Sequence, residues 1–195
     1  DDGSPSAAEM LQKHVDELLA LAAPLWPARS AQQLGALRES LERYLMGLLY
    51  EKAFCVGSDA VEDKVLEAQL ETLSFVTPQL VGIADDKCGG DDWSAALAAL
   101  ARVDASPSPV DKIGCIVKCC AHLGRLVDPC DSSFVRLLAL AVLRGQPARL
   151  HSQLEYIGRC MPPNRLWSPE LGGPFTIARA AVQYLAHLDP VALTG

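Results

Sequence analysis

Aromatic side chains and long apolar runs are scarce in this chain of 195 residues. Aromatic residues make up 6% of it, and Val, Ile and Thr together number 23, against 30 Leu and 27 Ala. Aromatic and β-branched residues favour strands, whereas Leu and Ala lose little conformational freedom in a helix. No apolar stretch reaches the roughly 20 residues that span a bilayer. The composition therefore predicts a helical protein without a transmembrane segment.

Concentrated positive charge is also lacking. The 17 Lys and Arg residues are scattered, and the formal net charge is -7. Proteins that bind nucleic-acid phosphates or anionic membrane surfaces need clustered cations, so both classes are disfavoured. The hydrophobic content of 50% excludes intrinsic disorder. The length excludes a small fold held together by disulfides.

Sequence motifs of common catalytic and nucleotide-binding sites are absent as well. The chain contains no G-x-S-x-G, no P-loop, no H-E-x-x-H and no G-x-G-x-x-G. Its four histidines fall in separate predicted helices: His14, His122, His151 and His187. The acidic pairs Asp85-Asp86 and Asp91-Asp92 are interpreted as a solvated loop rather than as a cation site. We expect no cofactor and no metal site.

The cysteines number seven, an odd count, and none of them forms a C-x-x-C pair. Cys115 and Cys119 share a predicted helix face and would offer zinc two ligands, but no His follows at a ligand spacing. The preferred interpretation is that the cysteines are buried, reduced thiols of a cytosolic protein.

Apolar residues at spacings of three and four are abundant, which is typical of amphipathic helices. This pattern predicts helices over residues 7–23, 30–50, 59–75, 93–103, 111–126, 134–144, 150–160 and 175–188. Pro24 and Pro27 are expected to end the first helix, and Asp111 is expected to cap the fifth. The fifth helix is apolar around most of its circumference, which predicts a central, buried position.

Three further expectations concern the second helix, the connecting loops and the start of the chain. The apolar stripe of the second helix is Leu34, Leu37, Leu41, Leu45, Leu48 and Leu49. Residues 85–92, 104–110 and 169–174 are rich in polar residues, Gly or Pro and are predicted to be loops. Asp1 to Ser6 resemble neither a signal peptide nor a natural start, and we interpret them as a linker at the edge of a larger protein.

The segment from Ser108 to Cys120 carries a recognisable signature. Its residues, S-P-V-D-K-I-G-C-I-V-K-C-C, resemble the S-P-x-D-K-x-x-C-I-x-x-C-C pattern of the vacuolar-protein-sorting-nine (Vps-nine) domain family. Residues 140–157 and 170–189 are similar to two later segments of that family, and the similarity runs in order over residues 45–190. Apolar matches suit any buried helix, but three polar matches do not follow from burial alone: Asp111-Lys112, His151-Ser152 and Glu155-Tyr156.

The resemblance implies an all-α fold in which a helical bundle precedes a layered helical core. We place an N-terminal helical bundle segment at residues 1–50 and a Vps-nine-like domain at residues 51–190. The family implies guanine-nucleotide exchange on endosomal Rab GTPases, chiefly the Rab-five subfamily. In such domains a groove between two late helices binds the GTPase switch regions, and an Asp at one helix start displaces the Mg²⁺ of the GTPase.

This sequence departs from the family at the residues that exchange requires. The family pattern D-D-F-x-P falls on residues 132–136, so Ser132 replaces the exchange Asp and Arg136 replaces the groove Pro. The two family tyrosines fall on Gly173 and Pro174. The catalytic candidates are therefore Asp131, one residue earlier, and Ser132. The resemblance implies GTPase contacts at Pro109, Asp111, Lys112, Phe134, Arg136, Gly173, Pro174 and Thr176.

The preferred hypothesis is a domain that binds a Rab-five-subfamily GTPase in endosomal membrane trafficking, with exchange activity weak or lost. Two alternatives stay open: an active exchange factor that uses Asp131, and a scaffold that binds a partner other than a Rab. The expected partner is a small GTPase, without nucleic acid or a direct membrane span. The expected location is cytoplasmic, peripheral at endosomal membranes through partners or other domains.

Overall fold

The computed structural model describes residues 7–22, 24–25 and 30–194. The predicted linker at residues 1–6 and the predicted stop at Pro27 lie outside the described residues. Within them the chain is all-α, as predicted, without a strand. Its α-helices are α1 (Ala7–Ala22), α2 (Ala31–Ala53), α3 (Asp59–Thr72), α4 (Gly90–Ala101), α5 (Pro109–Leu123), α6 (Phe134–Gly145), α7 (Leu150–Cys160), α8 (Pro163–Leu166), α9 (Gly172–His187) and α10 (Pro190–Thr194). None of the described helices is long and apolar enough to cross a membrane.

Three predicted helix starts are wrong because turn-forming residues were assigned to loops. α4 begins at Gly90 and includes the second acidic pair in its first turn. α5 begins at Pro109, with Ser108 rather than Asp111 at its N-cap. α9 begins at Gly172, so Pro174 lies in its first turn. Proline is tolerated at a helix start because the first N–H groups have no partner within the helix.

The main hydrophobic core is formed by α3 to α9. α5 packs against α4, α7 and α9, in line with the central position predicted for it, but α6 is more deeply buried. Every residue from Leu137 to Leu143 in α6 is buried, whereas Asp111, Gly114, Cys115 and Lys118 leave one face of α5 accessible. α6 therefore forms the centre of the core, and its few accessible positions lie near its ends.

A second, smaller cluster joins the N-terminal helices to α7. It contains Leu11 of α1, Met46 of α2, and Tyr156 of α7. The predicted leucine stripe of α2 contributes Leu45 to this contact, whereas Leu34 and Leu48 are 45% and 63% exposed. The buried positions of α2 are instead Glu42 and Met46. The division of the chain into residues 1–50 and 51–190 stays a proposal.

Lys112 is the largest charged side chain in the interior, with no exposed surface. Its Nζ donates to the carbonyl of Val103 at 3.1 Å and lies 5.1 Å from the ring centroid of Tyr50 and 5.4 Å from that of Phe54. Removal from water disfavours the charged form, and the pKa of Lys112 falls to about 8. The side chain therefore connects α2 to α5 at the cost of burying a cation.

This depressed pKa predicts a stability that rises with pH. In the unfolded chain the lysine keeps its proton up to a pKa near 10.5. Between pH 8 and pH 10.5 the unfolded state thus binds more protons, and the wild type should gain about 2–3 kcal/mol relative to Lys112→Met. Urea unfolding of both proteins from pH 7 to pH 10 measures the difference between their free energies of unfolding. The titration of the cysteines cancels in this difference because both proteins contain the same cysteines. A constant difference would contradict the prediction.

Candidate functional site

The C-terminal end of α6 is held beside the end of α3. The guanidinium of Arg144 donates to the carbonyl of Ser74 at 3.3 Å and to that of Val76 at 2.6 Å. Both carbonyls lie just beyond Thr72, the last residue of α3. This contact fixes the direction in which α6 crosses the core.

The C-terminal end of α9 lies at the same place. Gln69, in the last turn of α3, donates to the carbonyls of Leu185 at 3.1 Å and Leu188 at 2.9 Å. α6 and α9 also pack against each other. Because both helices end beside the end of α3, they run in the same direction, and their first turns lie at one end of the core. We call this region, residues 131–136 with 172–176, the α6–α9 start.

A hydrogen-bonded turn leads into α6. The Oδ1 atom of Asp131 accepts the N–H of Ser133 at 2.7 Å. Hydrogen bonds from Ser133 hold the pKa of Asp131 below its ordinary value, so this exposed carboxyl group is ionised at neutral pH. Ser132 is also exposed and presents a hydroxyl group where the family resemblance implies a carboxylate. The charge at this turn therefore comes from Asp131, which is engaged with its own helix start.

The two other candidates on α6 have different surroundings. Phe134 is 1% exposed and belongs to the core. Arg136 is half-buried, and its Nη2 atom would lie 3.8 Å from a Cβ placed on Gly82. The Nε atom of Arg136 is buried without a hydrogen-bond acceptor among the described residues. Arg136 thus places a cation beside the start of α6, where the family pattern has an uncharged Pro.

The first turn of α9 has little side-chain bulk. Gly173 is exposed, and a Cβ placed on it would have no atom within 4 Å. Pro174 is half-buried, and the exposed Thr176 donates its hydroxyl to the carbonyl of Gly172 at 2.8 Å. A Cβ on Gly172 would lie 3.4 Å from the Cα of Trp167. The lack of a side chain therefore leaves open space at Gly173, and at Gly172 it allows a close contact with the backbone of Trp167.

Trp167 is a residue of this region that sequence reasoning missed. Its indole is 59% exposed and contacts the ring of Phe175 edge-on, with centroids 5.9 Å apart. Trp167 lies between α8 and α9, in a Pro-rich stretch without apolar periodicity. A single-sequence pattern therefore does not distinguish it from a core residue, although an isolated Trp between prolines was the available signal.

The candidates on α5 lie at the other end of the core. α5 has 15 residues, which corresponds to about 22 Å, and its last residues precede the turn at Asp131. The end of α6 confirms this placement, since a Cβ on Gly145 would contact the side chains of Leu97 and Leu100, near the end of α4. The structure therefore separates Pro109, Asp111 and Lys112 from the α6–α9 start.

Burial also limits what the α5 candidates can contact. Pro109 and Lys112 are buried and present almost no surface to a partner. Asp111 accepts from Arg43 at 3.2 Å and from the hydroxyl of Ser106 at 3.0 Å. It lines a groove of about 710 Å³ between α4 and α5. The geometry gives these residues structural contacts, and a direct GTPase contact at Asp111 stays a prediction.

The acidic pairs and the cysteines also have defined surroundings. Asp92 accepts from Arg125 at 2.8 Å and lies 3.1 Å from a ring nitrogen of His122. The described residues hold no group of three or more His, Cys, Asp and Glu side chains that fits a metal ion.

Burial raises the pKa of Cys119 and that of Cys120 to about 12. Of the seven free thiols, three are buried as predicted (Cys119, Cys120 and Cys160), three are half-buried (Cys55, Cys88 and Cys115), and Cys130 is exposed.

The chain matches a family model, the vacuolar sorting protein 9 (VPS9) domain, over residues 93–190. It is 30% identical to the human Rab5 GDP/GTP exchange factor over 173 residues, which is 83% of this chain and 35% of that protein. It is 25% identical to vacuolar protein sorting-associated protein 9A of Arabidopsis thaliana, over 85% of this chain and 34% of that protein. The chain therefore spans about a third of the length of these relatives. Because the family model covers half of the chain, this protein belongs to the VPS9 domain family.

Proposed function

We propose that this chain binds a Rab-five-subfamily GTPase in endosomal membrane trafficking, and that its nucleotide exchange activity is weak or lost. The family membership and the name of the human relative support a Rab GTPase as the partner. The whole protein would then act at the periphery of endosomal membranes, through the GTPase or through other domains.

One observation carries this proposal, the exposure of the α6–α9 start. Most of α6 is buried, yet Ser132, Gly173 and Thr176 are exposed on two adjacent helix starts. These are positions to which the resemblance assigns the GTPase contact. A partner surface can therefore reach them without any rearrangement of the core.

The chemistry of the same positions argues for weak exchange. Displacing Mg²⁺ and loosening a bound nucleotide needs an anionic group directed at the nucleotide site. The hydroxyl of Ser132 carries no charge, and Asp131 uses its carboxylate to accept the N–H of Ser133. The first turn of α9 offers no aromatic ring at Gly173 or Pro174 for a switch contact. Binding is thus supported more strongly than exchange.

An active exchange factor that uses Asp131 is the second candidate. It is favoured because Asp131 is ionised, exposed and adjacent to the expected position. Its engagement with Ser133 and the lack of an aromatic ring at Gly173 and Pro174 argue against this role.

Release of fluorescent GDP from a panel of Rab-five-subfamily GTPases separates these candidates. We expect release close to the spontaneous rate with the wild type, together with binding of at least one GTPase in pull-downs. Stimulated release that is lost in Asp131→Asn would instead establish the Asp131 mechanism. Asp128→Asn is the matched control, since Asp128 accepts the N–H of Cys130 in the same turn. Absence of binding in every nucleotide state would overturn the proposal and favour a non-Rab scaffold.

A further inference from the structure

Between residues 84 and 190 the surface has almost no large hydrophobic side chains. From residue 84 to residue 190, all of which the structure describes, Trp167 is the one large hydrophobic side chain that is exposed. The other exposed large hydrophobic residues of the described chain lie before residue 84 or at Val191. Burial of a Trp side chain stabilises a folded protein considerably, because the ring removes a large apolar area from water. The exposed Trp167 does not contribute this free energy to the fold.

Trp167 is held against the first turn of α9. Its backbone N–H donates to the carbonyl of Pro163 at 2.9 Å, which ends α8. Its ring contacts Phe175 edge-on, and Phe175 is itself 1% exposed. Gly172 packs on the Trp167 backbone so closely that a Cβ would lie 3.4 Å from it. The indole therefore packs against Phe175, while most of its surface stays exposed to solvent.

A fixed, exposed indole is suited to protein binding. Trp is enriched among the residues that dominate binding energy, because it buries a large area with few rotatable bonds. Trp167 lies at the end of the core where α6 and α9 begin, and thus at the α6–α9 start. The adjacent Gly173 and Pro174 supply no aromatic ring there.

We propose that Trp167 is the aromatic anchor that inserts into an apolar pocket on the GTPase. This inference rests on the proposed function and adds a binding residue to that site. The indole supplies an aromatic contact near position 173, in addition to and not in place of the switch contact that the resemblance assigns to the family tyrosine. A contact through Trp167 gives affinity without supplying a carboxylate to the nucleotide site, which fits binding with little exchange.

Affinity measurements on the Rab-five-subfamily GTPase bound by the wild type test this role. Trp167→Ala should weaken the Kd by about 30-fold, because anchor residues contribute at this level, and Trp167→Phe should weaken it less. Tyr44→Ala is the matched control: Tyr44 is a 65% exposed aromatic residue of α2, and its Kd should equal that of the wild type. An unchanged Kd for Trp167→Ala would overturn the inference and leave the proposed function standing. Failure of the wild type to bind any GTPase would overturn both.

Acrylamide quenching provides a second readout, which needs only the conservative Trp167→Phe variant and not the alanine variant. The difference between the wild type and Trp167→Phe isolates the fluorescence of Trp167 from that of the other two tryptophans. We expect this signal to be protected from acrylamide when the GTPase is added. A Trp167 that stays equally accessible in the complex would overturn the inference, whatever the affinity of the alanine variant.

Discussion

Replacing Ser132 by Asp and Gly173 by Tyr in the same chain is expected to raise GDP release from the bound Rab-five-subfamily GTPase by about 100-fold, since one correctly placed charged or polar group contributes at this level in other active sites. The Asp would supply the charge that competes with the phosphates for the GTPase cation. The Tyr would supply the aromatic contact to the switch region. Each single variant should have a smaller effect, because charge and positioning act on the same step.

The structure accommodates both substitutions. Ser132 is exposed, and a carboxylate at this turn is favoured by the partial positive charge at the start of α6. The half-buried guanidinium of Arg136 further offsets the repulsion from Asp131. Gly173 has no atom within 4 Å of a Cβ and has no positive φ, so a Tyr there needs no backbone change.

Fluorescent GDP release measures the outcome, with Ser132→Asn plus Gly173→Tyr as the control of equal size and lower charge. The control should bind the GTPase as the active variant does, without accelerating release. If both double variants leave release at the wild-type rate while binding persists, the residues at positions 132 and 173 do not limit exchange. If both accelerate it equally, the ring rather than the charge limits exchange.

The helical elements were predictable because their signal is local. The spacing of apolar residues placed α7 at its observed bounds and α1 within one residue of its observed end. The family was predictable as well, since several short motifs occur in the right order. Errors occurred where a Gly or Pro at a helix start was assigned to a loop, as at Gly90 and Pro174.

The roles of polar residues were not predictable, since a hydrogen bond in the core and a contact with a partner select the same side chains. The polar matches at positions 112, 152 and 156 all turn out to be buried. Lys112 donates to Val103, and Tyr156 donates its hydroxyl to the carbonyl of Pro107 at 2.8 Å. Both side chains therefore serve the fold, because each donates a hydrogen bond to a backbone carbonyl. Tertiary packing decides which polar residues face a partner, and it also decides which hydrophobic residues stay exposed, as Trp167 does.

The third buried match, Ser152, completes a cap that comes from another helix. α7 begins after Arg149, whose backbone is left-handed and whose side chain makes no cap. Asp63 of α3, which is 4% exposed, replaces that cap. Its Oδ1 atom accepts the Ser152 N–H at 3.0 Å, and its Oδ2 atom accepts the Ser152 hydroxyl. One carboxylate therefore serves two donors that no water can reach.

Removal of this carboxylate should destabilise the whole domain. Asp63→Ala leaves the N–H and the hydroxyl of Ser152 without an acceptor in the core, and we expect the free energy of unfolding to fall by about 3 kcal/mol. Glu62→Ala, at the preceding and exposed position of α3, should change it by less than about 0.5 kcal/mol. Urea unfolding monitored by circular dichroism measures both.

A double-mutant cycle with Ser152→Ala then isolates the contact. Because Ser152→Ala removes the hydroxyl but keeps the N–H, the coupling energy should be positive and smaller than the full effect of Asp63→Ala, about 1–2 kcal/mol. An Asp63→Ala protein as stable as Glu62→Ala would mean that water replaces the carboxylate, and that α7 does not depend on α3 for its cap. The predicted result would instead mean that the α3–α7 contact stabilises the core that positions the α6–α9 start.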